Sequence, residues 1–275
     1  EGKGGNPAGV VLDLEQKLSE SDMQAIAKKV NLSETAFISK GTDGADFNLR
    51  FFTPTDEVPL CGHATIASFW HLSKLGVLTS DTCIQNTKAG LLSIHMSRDA
   101  SDEITVTMAQ TSPVIVKQGL TFDASFKASF PNAAIDSKLP IDVWSTGLED
   151  ILLPIESRVA LNQLIFVPEN LTELSKELQV VGVHAFSYED GQVYARNFAP
   201  LYGIDEESAT GTSNGALTAY LHHYMHHDKL KLELRVLQGE AMGETSAIYT
   251  RSEKGLAGLT IHVGGRCDYK GEIEI

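Results

Sequence analysis

The sequence predicts an α+β protein of two similar domains, each with mixed and antiparallel strands wrapped around a central buried helix. Two observations lead to this prediction: one segment occurs twice, and each copy contains a helix that is apolar on nearly every face. A helix of that kind is buried, because a surface helix keeps one polar face. We place the domains at residues 1–111 and 112–264, with a C-terminal strand, 265–275, that returns to the first domain.

Short strands dominate the pattern and occur in runs. In the first half we expect a helix at Ser21–Val30, opening near Ser19 and closing at Asn31, and strands at Gly9–Leu12, Asp46–Phe52, Thr82–Asn86, Leu91–Met96 and Glu103–Met108. In the second half we expect strands at Val143–Trp144, Leu164–Val167, Val181–Ser187, Gln192–Asn197, Lys231–Leu237, Ala247–Thr250 and Leu259–Val263. Such runs disfavour a doubly wound fold, in which strands and helices alternate.

The repeated segment is a strand ending in R-x-F-x-P, an acidic loop, a glycine and a helix. It begins at Arg50 in the first copy and at Arg196 in the second, roughly half the chain later. The apolar helices that follow are expected at His63–Leu75 and Ala216–Met225. Strands around each helix would leave its N-terminal N–H groups and the positive end of its dipole exposed.

A glycine stands at each of these helix starts, Gly62 in the first copy and Gly211 in the second. Glycine lets a ligand come close to the backbone, and the first-turn amides can bind a carboxylate or enolate oxygen. One such start would be an ordinary feature of a helix. Two of the same construction predict a pair of anion sites that meet at a cleft between the domains.

Composition limits the function. The net charge of −14 argues against a nucleic-acid-binding protein, and 42% hydrophobic residues suffice for a real core. The apolar runs are too short to span a bilayer, and no signal-peptide pattern is visible in the sequence. Three widely separated cysteines without a C-x-x-C pair predict neither a disulfide framework nor a zinc site. We therefore expect a cytoplasmic protein with a small-molecule partner.

Three residues are candidates for chemistry on their own merits. Glu34, flanked by apolar residues between a helix and a strand, suits general acid/base work, although most such glutamates are solvated or paired. His63 begins the first buried helix, whose positive end should keep the imidazole neutral; the alternative is a histidine bonded to its loop. Cys61 is either a thiolate activated by the same helix end or an inert packing residue.

Two further patterns leave alternatives open. Ser213 lies in G-x-S-x-G, the nucleophile elbow of hydrolases, but an acidic loop precedes it instead of a buried strand. Four histidines, at positions 222, 223, 226 and 227, make two i,i+4 pairs that suit zinc. Because the segment lacks a third metal ligand, we prefer a different explanation. Positively charged histidines would interact favourably with the negative end of the helix dipole at the C-terminus.

Several motifs together resemble the phenazine-biosynthesis (PhzF-like) family, in that family's order and over nearly the whole chain. The motifs lie at Gly5–Val10, Leu32–Phe37, Arg50–Pro54, Cys61–Thr65, Arg196–Pro200 and Ala209–Thr212. The resemblance implies a diaminopimelate-epimerase-like fold and a homodimer without metal or organic cofactor. It also implies that Glu34 moves a proton on a cyclic dienoic amino acid.

The same resemblance implies a set of substrate-binding residues. They are Gly62, His63, Glu207, Gly211 and Thr212, and we add the backbone amide of Ser213. The chain departs from the family pattern, which usually has Asp at position 207, commonly Ser at 212 and often Arg at 244.

We therefore expect a cofactor-independent isomerase that moves a proton between carbons of a small carboxylate or cyclic amino-acid-like substrate. The epimerase branch of the fold uses two facing cysteines. Cys61 matches the first, but Thr210 stands at the second, and its hydroxyl is too weakly acidic to replace a thiol. The alternatives are a Ser213 hydrolase and a non-catalytic member that binds a small molecule or a protein partner.

Overall fold

The structure, a computed structural model, describes residues 5–78 and 80–274. It divides into two compact units. The N-terminal unit comprises Asn6–Ala109 and the segment from Gly264 onwards, and the C-terminal unit comprises Gln110–Val263. The first four residues of the predicted first domain lie outside the described residues. No helix in the described part of the chain is both long and apolar enough to cross a membrane.

The N-terminal unit contains helices α1 (Glu20–Val30) and α2 (Gly62–Lys74). Its strands are β1 (Ala8–Leu12), β2 (Glu34–Lys40), β3 (Phe47–Phe52), β4 (Glu57–Val58), β5 (Thr82–Thr87), β6 (Gly90–Arg98) and β7 (Ile104–Ala109). As expected, Ser19 caps α1, here through a capping box with Asp22, and Asn31 ends the helix in the left-handed conformation with φ 53°.

The sheet of this unit curls around α2. Its strand order is β1-β2-β3-β5-β6-β7, with β4 paired to β3. Helix α2 packs against β1 and β2 at one edge and against β7 at the other. The helix buries Phe69 and Leu72 completely among Phe51, Ile94 and Val106 of the strands. Burial of apolar side chains on this scale is the main term that holds the unit together.

The C-terminal unit contains helices α3 (Ala124–Ser129), α4 (Arg158–Asn162), α5 (Pro168–Leu178) and α6 (Gly211–Met225). Its strands are β8 (Val114–Leu120), β9 (Ile141–Ser145), β10 (Glu149–Pro154), β11 (Gly182–Glu189), β12 (Gln192–Ala199), β13 (Ile204–Glu207), β14 (Lys231–Gln238), β15 (Ser246–Gly255) and β16 (Gly258–Gly265). Their order is β16-β15-β14-β12-β11-β10-β9-β8, and β13 pairs with β12.

This second sheet repeats the pairing of the first. Strands β10 and β11 are parallel, β11 and β12 antiparallel, β12 and β14 parallel, and β14 and β15 antiparallel. The pairs β1–β2, β2–β3, β3–β5 and β5–β6 follow the same sequence of directions. Helix α6 packs against β9, β10, β14 and β15 and buries ten consecutive residues, 213–222. The prediction of two similar α+β units with central buried helices is confirmed.

The arginine of each repeat explains part of the repeated sequence. Arg50 donates from Nε and Nη2 to the carboxylate of Glu57 at 2.8 and 2.5 Å. Arg196 makes the same two-pronged contact with Glu206, at 2.8 Å for both bonds. A bidentate arginine–carboxylate pair fixes the direction of the acidic loop. These glutamates are therefore structural, and in the second copy Glu207 is left for another role.

Three local predictions were wrong. Helix α6 begins at Gly211, five residues before the expected Ala216, so the glycine-rich segment forms its first turn. Leu164–Val167 is not a strand, because the Leu164 carbonyl accepts from the side chain of Arg196 and no ladder forms. The segment after β16 belongs to the N-terminal unit, as expected, but residues 266–274 do not form a strand.

Candidate functional site

Glu34 is the first residue of β2, opposite Ala8 of the parallel strand β1. The four residues that follow are buried and fix the strand, while the Glu34 side chain remains 21% exposed. Its Oε2 atom lies 3.1 Å from Nε2 of His63, whose side chain is 27% exposed. Oε2 is buried, and no aligned hydrogen-bond donor to it occurs in the described structure, so the protein leaves its lone pairs without a hydrogen bond.

His63 is the second residue of α2, where it contacts several polar groups. Burial lowers the pKa of its imidazole, and the Glu34 carboxylate opposes this effect. The ring is thus favoured in its neutral form, as the sequence predicted, but the principal cause is burial and not the helix end. The hydroxyl of Ser33 lies 3.3 Å from Nε2, and Sγ of Cys61 lies 3.4 Å from Nδ1.

Cys61 is the N-cap residue of α2 and is 8% exposed. Burial raises the pKa of its thiol to about 12, although the backbone N–H groups of Ala64 and His63 favour the thiolate. Of the two alternatives for Cys61, the structure therefore favours the packing residue over the activated thiolate. A protonated thiol that packs at the helix start is what the structure contains.

Gly62 and Gly211 both lie at helix starts that lack a side-chain cap. The starts of α1, α3 and α4 are each capped by a serine or aspartate side chain, whereas α5 also lacks a side-chain cap and begins with Pro168. A Cβ atom placed on Gly62 would meet no described atom within 4 Å, and one on Gly211 would only reach Val263 at 4.0 Å. The space beside both helix starts therefore admits an acceptor on a ligand, and in α2 the amides of Ala64 and His63 also interact with the sulfur of Cys61.

Glu207 and Thr210 form a pair immediately before α6. The Thr210 hydroxyl donates to Oε2 of Glu207 at 2.6 Å, which folds the longer carboxylate back towards the helix start. Thr212 is half-buried, and its carbonyl accepts from the hydroxyl of Thr146 at 2.9 Å. The carboxylate of Glu207, the amide of Gly211 and the first turn of α6 are thus close in sequence and held by one local network.

Ser213 lies in the first turn of α6 and is 1% exposed. Its hydroxyl donates to Oδ2 of Asp150 at 2.6 Å, and Asp150 is also 1% exposed. Burial raises the pKa of Asp150 to about 6, while the hydrogen bond from Ser213 opposes this rise. A buried serine that donates to a carboxyl group, without a histidine as its base, does not have the arrangement of a hydrolase nucleophile.

A second polar network holds the loop before α6 from behind. Gln238, at the end of β14, is fully buried. Its Nε2 donates to the Glu207 carbonyl at 2.7 Å and to the Thr210 hydroxyl at 2.9 Å, and its Oε1 accepts from Nδ2 of Asn214 at 2.7 Å. Asn214 in turn contacts Nε2 of His184, whose pKa is lowered to about 4 by burial. All these groups are neutral and paired, as buried polar networks require.

The four histidines near the end of α6 do not form a metal site. Helix α6 ends at Met225, so the i,i+4 geometry is lost at His226 and beyond. The ring nitrogens of His222 contact Ser252 and the Lys229 carbonyl, and Nε2 of His226 contacts the Tyr188 hydroxyl. Burial lowers the pKa of His222 and His226, so the expected favourable charge at the helix end is also wrong for these two.

Within residues 5–78 and 80–274, one group of side chains has the spacing of a metal-ligand set. It consists of Glu34, Cys61 and His63, whose donor atoms lie within 4.8 Å of one another. In the sequence analysis these three residues were separate candidates. Their side chains come together because β2 and α2 pack side by side.

The predicted site residues lie in two sets, one in each unit. Glu34, Gly62 and His63 lie together in the N-terminal unit, and Glu207, Gly211, Thr212 and Ser213 lie together in the C-terminal unit. Sequence reasoning missed Ser33, Asp150 and Gln238. A carboxylate directly before the apolar run at Ile151–Leu153 was a usable signal for Asp150, whereas nothing local distinguishes Gln238.

Comparison with known proteins adds to this geometry. The family model described as phenazine biosynthesis-like protein (PhzC-PhzF) matches residues 1–267. The chain is 32% identical over 274 residues to YfhB of Bacillus subtilis, named an uncharacterized isomerase, with 96% of this chain and 91% of that protein covered. It is 28% identical over 252 residues to the trans-2,3-dihydro-3-hydroxyanthranilate isomerase of Pseudomonas chlororaphis, with 90% and 85% covered.

Solved structures agree with these relatives. A PhzF-family phenazine biosynthesis protein of Bacillus anthracis superposes with a TM-score of 0.78 at 29% identity, covering 95% of this chain and 90% of that one. A hydroxyproline epimerase from Agrobacterium vitis gives a TM-score of 0.53 at 15% identity, with coverage of 90% and 77%. Because the identity is only 15%, the comparison with the epimerase supports the fold and not a shared function.

Proposed function

The chain belongs to the phenazine biosynthesis-like (PhzC-PhzF) family, and from this premise we propose that it isomerises a small carboxylate by moving a proton between two carbons, with Glu34 as the acid/base. Relatives of this chain are named isomerases, and this supports isomerisation as the class of reaction. The identity of the proton carrier and of the substrate is our proposal.

One observation carries this proposal. The Glu34 carboxylate is part-buried, has an oxygen without an aligned donor, and lies 3.1 Å from a neutral histidine. A carboxylate whose lone pairs are not used by the protein can accept a proton from carbon and return it, since little structure has to be broken first. Its neighbours Gly62 and His63 begin an uncapped helix that can bind the negative charge developing on the substrate.

The proposed reaction begins with the removal of a carbon-bound proton by the Glu34 carboxylate. The negative charge that develops on the substrate is stabilised by backbone amides at Gly62 and His63. Gly211, Thr212 and the amide of Ser213 bind the substrate in the same way, and Glu207 orients it. Glu34 then delivers the proton to a different carbon, so atoms and charge balance without a redox partner.

The proposed substrate class is a small carboxylate, either cyclic or amino-acid-like. The Pseudomonas relative is named for trans-2,3-dihydro-3-hydroxyanthranilate, which makes that compound the first substrate to test. The C-terminal set differs from the expected family pattern by one methylene at Glu207, and Thr210 holds that longer side chain at 2.6 Å. A related acid with a displaced polar group is therefore the second compound to test.

Kinetics of Glu34→Gln test the proposal. We expect kcat to fall by about a thousandfold, as is typical when a general acid/base is removed, with little change in KM. Glu57→Gln is a matched control, because Glu57 is a half-buried glutamate of the same unit that pairs with Arg50 and Lys88. That variant should be less stable yet retain its kcat. Full activity in Glu34→Gln would contradict the proposal.

A homodimer, which the family resemblance implies, is a further proposal. Sedimentation equilibrium over a range of protein concentrations checks it, and a single species with the mass of one 29.8 kDa chain would contradict it.

A further inference from the structure

We propose that Glu34, Cys61 and His63 also form a binding site for Zn²⁺, and that the bound ion blocks the proposed acid/base function of Glu34. The three side chains come from the start of β2, the N-cap of α2 and its first turn. Their donor atoms lie within 4.8 Å of one another. Metal binding is a separate property from catalysis, and only the inhibition rests on the proposed function.

The distances agree with those of a zinc site. Bonds of about 2.3 Å to sulfur and about 2.0–2.2 Å to nitrogen and oxygen place tetrahedral ligands roughly 3.3–3.6 Å apart. Nε2 of His63 lies 3.1 Å from Oε2 of Glu34 and 3.8 Å from Sγ of Cys61. These two separations are within a few tenths of an ångström of the required values. The Glu34 oxygen and the Cys61 sulfur lie within 4.8 Å of each other, and rotation of the two side chains would bring them to ligand distance.

The ligand types also favour zinc over harder cations. Thiolate and imidazole prefer Zn²⁺ to Mg²⁺ or Ca²⁺, which take oxygen ligands. Three protein ligands with a fourth position open to water occur in many zinc sites of enzymes. The set on the protein is therefore sufficient for binding without a contribution from a second chain.

Charge and protonation favour the complex as well. Zn²⁺ together with the Cys61 thiolate and the Glu34 carboxylate carries no net charge, so the positive end of α2 does not repel it. The neutral form of His63 is the form that ligates metal. Zinc binds cysteine as the thiolate, so Cys61 releases its proton to solvent when the ion binds.

Occupation of the site has a direct consequence for Glu34. A carboxylate oxygen bound to zinc cannot accept a proton from carbon, and its side chain is held towards Cys61 and His63. Zinc should therefore inhibit reversibly, and a chelator should restore activity.

Titration of Zn²⁺ against a chromophoric chelator, in a reducing buffer, tests the site without substrate. The wild-type protein should bind one ion that Cys61→Ser binds on the order of a hundredfold more weakly. Cys83→Ser is the matched control, because Cys83 is also buried, at 6% exposed, with a thiol pKa of about 12. It should bind zinc like the wild type. Equal affinity in Cys61→Ser and the wild type would overturn the proposal.

Two further variants guard against a misfolded Cys61→Ser protein and against binding elsewhere. His63→Gln should weaken zinc binding to a similar extent. His223→Gln combined with His227→Gln removes the two exposed histidines near the end of α6 and should leave the affinity unchanged. Loss of binding in this pair alone would overturn the proposal.

Substitution with Co²⁺ provides a spectroscopic signature. The wild-type complex should show a near-ultraviolet thiolate-to-cobalt charge-transfer band that disappears in Cys61→Ser and persists in Cys83→Ser. A wild-type complex without this band would exclude Cys61 as a ligand. Because these measurements use no substrate, their failure would leave the catalytic role of Glu34 to be judged by its own kinetics in chelator-treated protein.

Discussion

The absence of a Cβ atom at Gly62 leaves space for a ligand at the start of α2. Nothing in the described structure lies within 4 Å of a Cβ atom at this position, so packing does not require glycine here. We expect Gly62→Ala to fold with unchanged or slightly higher stability, by up to about 1 kcal/mol. The added methyl group would occupy the space next to the first-turn amides, and kcat/KM should fall by about tenfold or more.

Gly215 is the matched control for that substitution. A Cβ atom there would lie 2.8 Å from Oγ1 of Thr146 and 3.1 Å from Cγ2 of Val263. Gly215→Ala should therefore lower the free energy of unfolding by about 1–3 kcal/mol through overpacking. Thermal melts and initial rates measure both effects. A destabilised but fully active Gly62→Ala protein would contradict the proposed role of the α2 start.

Asp150 makes the stability depend on pH in a known direction. Burial raises its folded-state pKa from 3.8 to about 6, so between these pH values the folded protein binds a proton that the unfolded chain has lost. The free energy of unfolding contributed by this group is therefore highest at low pH. It falls as the pH rises, and the loss is complete above about pH 6.

Asp150→Asn removes that titration. At pH 8 we expect the variant to be more stable than the wild type, by on the order of 1–3 kcal/mol, and we expect the difference to disappear below about pH 4. Denaturant unfolding across this pH range measures it. A stability difference that does not vary with pH would show that the Asp150 carboxyl is not forced to ionise in a buried position.

At the scale of elements, the end of β14 fixes the loop that precedes α6. Gln238 uses both polar atoms of its side chain to bind the Glu207 carbonyl, Thr210 and Asn214. Gln238→Leu should lower the free energy of unfolding by about 2–4 kcal/mol, because several buried partners lose their hydrogen bonds together. It should also lower kcat/KM, since Glu207 loses its support.

Gln85 offers an unusual control for this experiment. It is also fully buried, but neither of its polar side-chain atoms has a partner in the described structure. Gln85→Leu should therefore be neutral or stabilising. Equal destabilisation in both variants, measured by denaturant unfolding, would show that the Gln238 network does not hold the loop.

Elements differed in how well local sequence predicted them. The capping box of α1 and the apolar surfaces of α2 and α6 are local signals. Helices α1 and α2 formed near the expected positions, whereas α6 ends where expected but begins five residues earlier. The strand expected at Leu164–Val167 has the right composition, but Arg196 binds its carbonyl oxygen and Pro168 begins α5 directly afterwards. Such tertiary contacts have no signature in a short window of sequence.

The whole molecule was easier to predict than its site. An internal repeat constrains topology strongly, and the two units share their strand directions and their central helix; the α+β, diaminopimelate-epimerase-like fold is confirmed by the solved relatives. Strands β8 and β9 lie outside the repeat and were only partly expected. The convergence of Glu34, Cys61 and His63 depends on how β2 packs beside α2, which residue chemistry alone could not specify.

The net charge of −14 should affect the encounter with an anionic substrate. Raising the ionic strength from about 0.01 M to about 0.15 M shortens the Debye length from about 30 Å to about 8 Å and screens the repulsion. We expect kcat/KM for a carboxylate substrate to rise severalfold over this range, while that for an uncharged amide analogue stays constant. A fall with added salt would indicate local electrostatic steering that outweighs the net charge.

The central claim is that Glu34 carries the proton between carbons. Mass spectrometry and NMR of the product formed in D₂O by chelator-treated protein test it most directly. We predict that the wild type incorporates solvent deuterium at the carbon that receives the proton and that Glu57→Gln does the same. Glu34→Gln should incorporate none above the uncatalysed rate while remaining folded. Deuterium incorporation by Glu34→Gln at the wild-type rate would contradict the account.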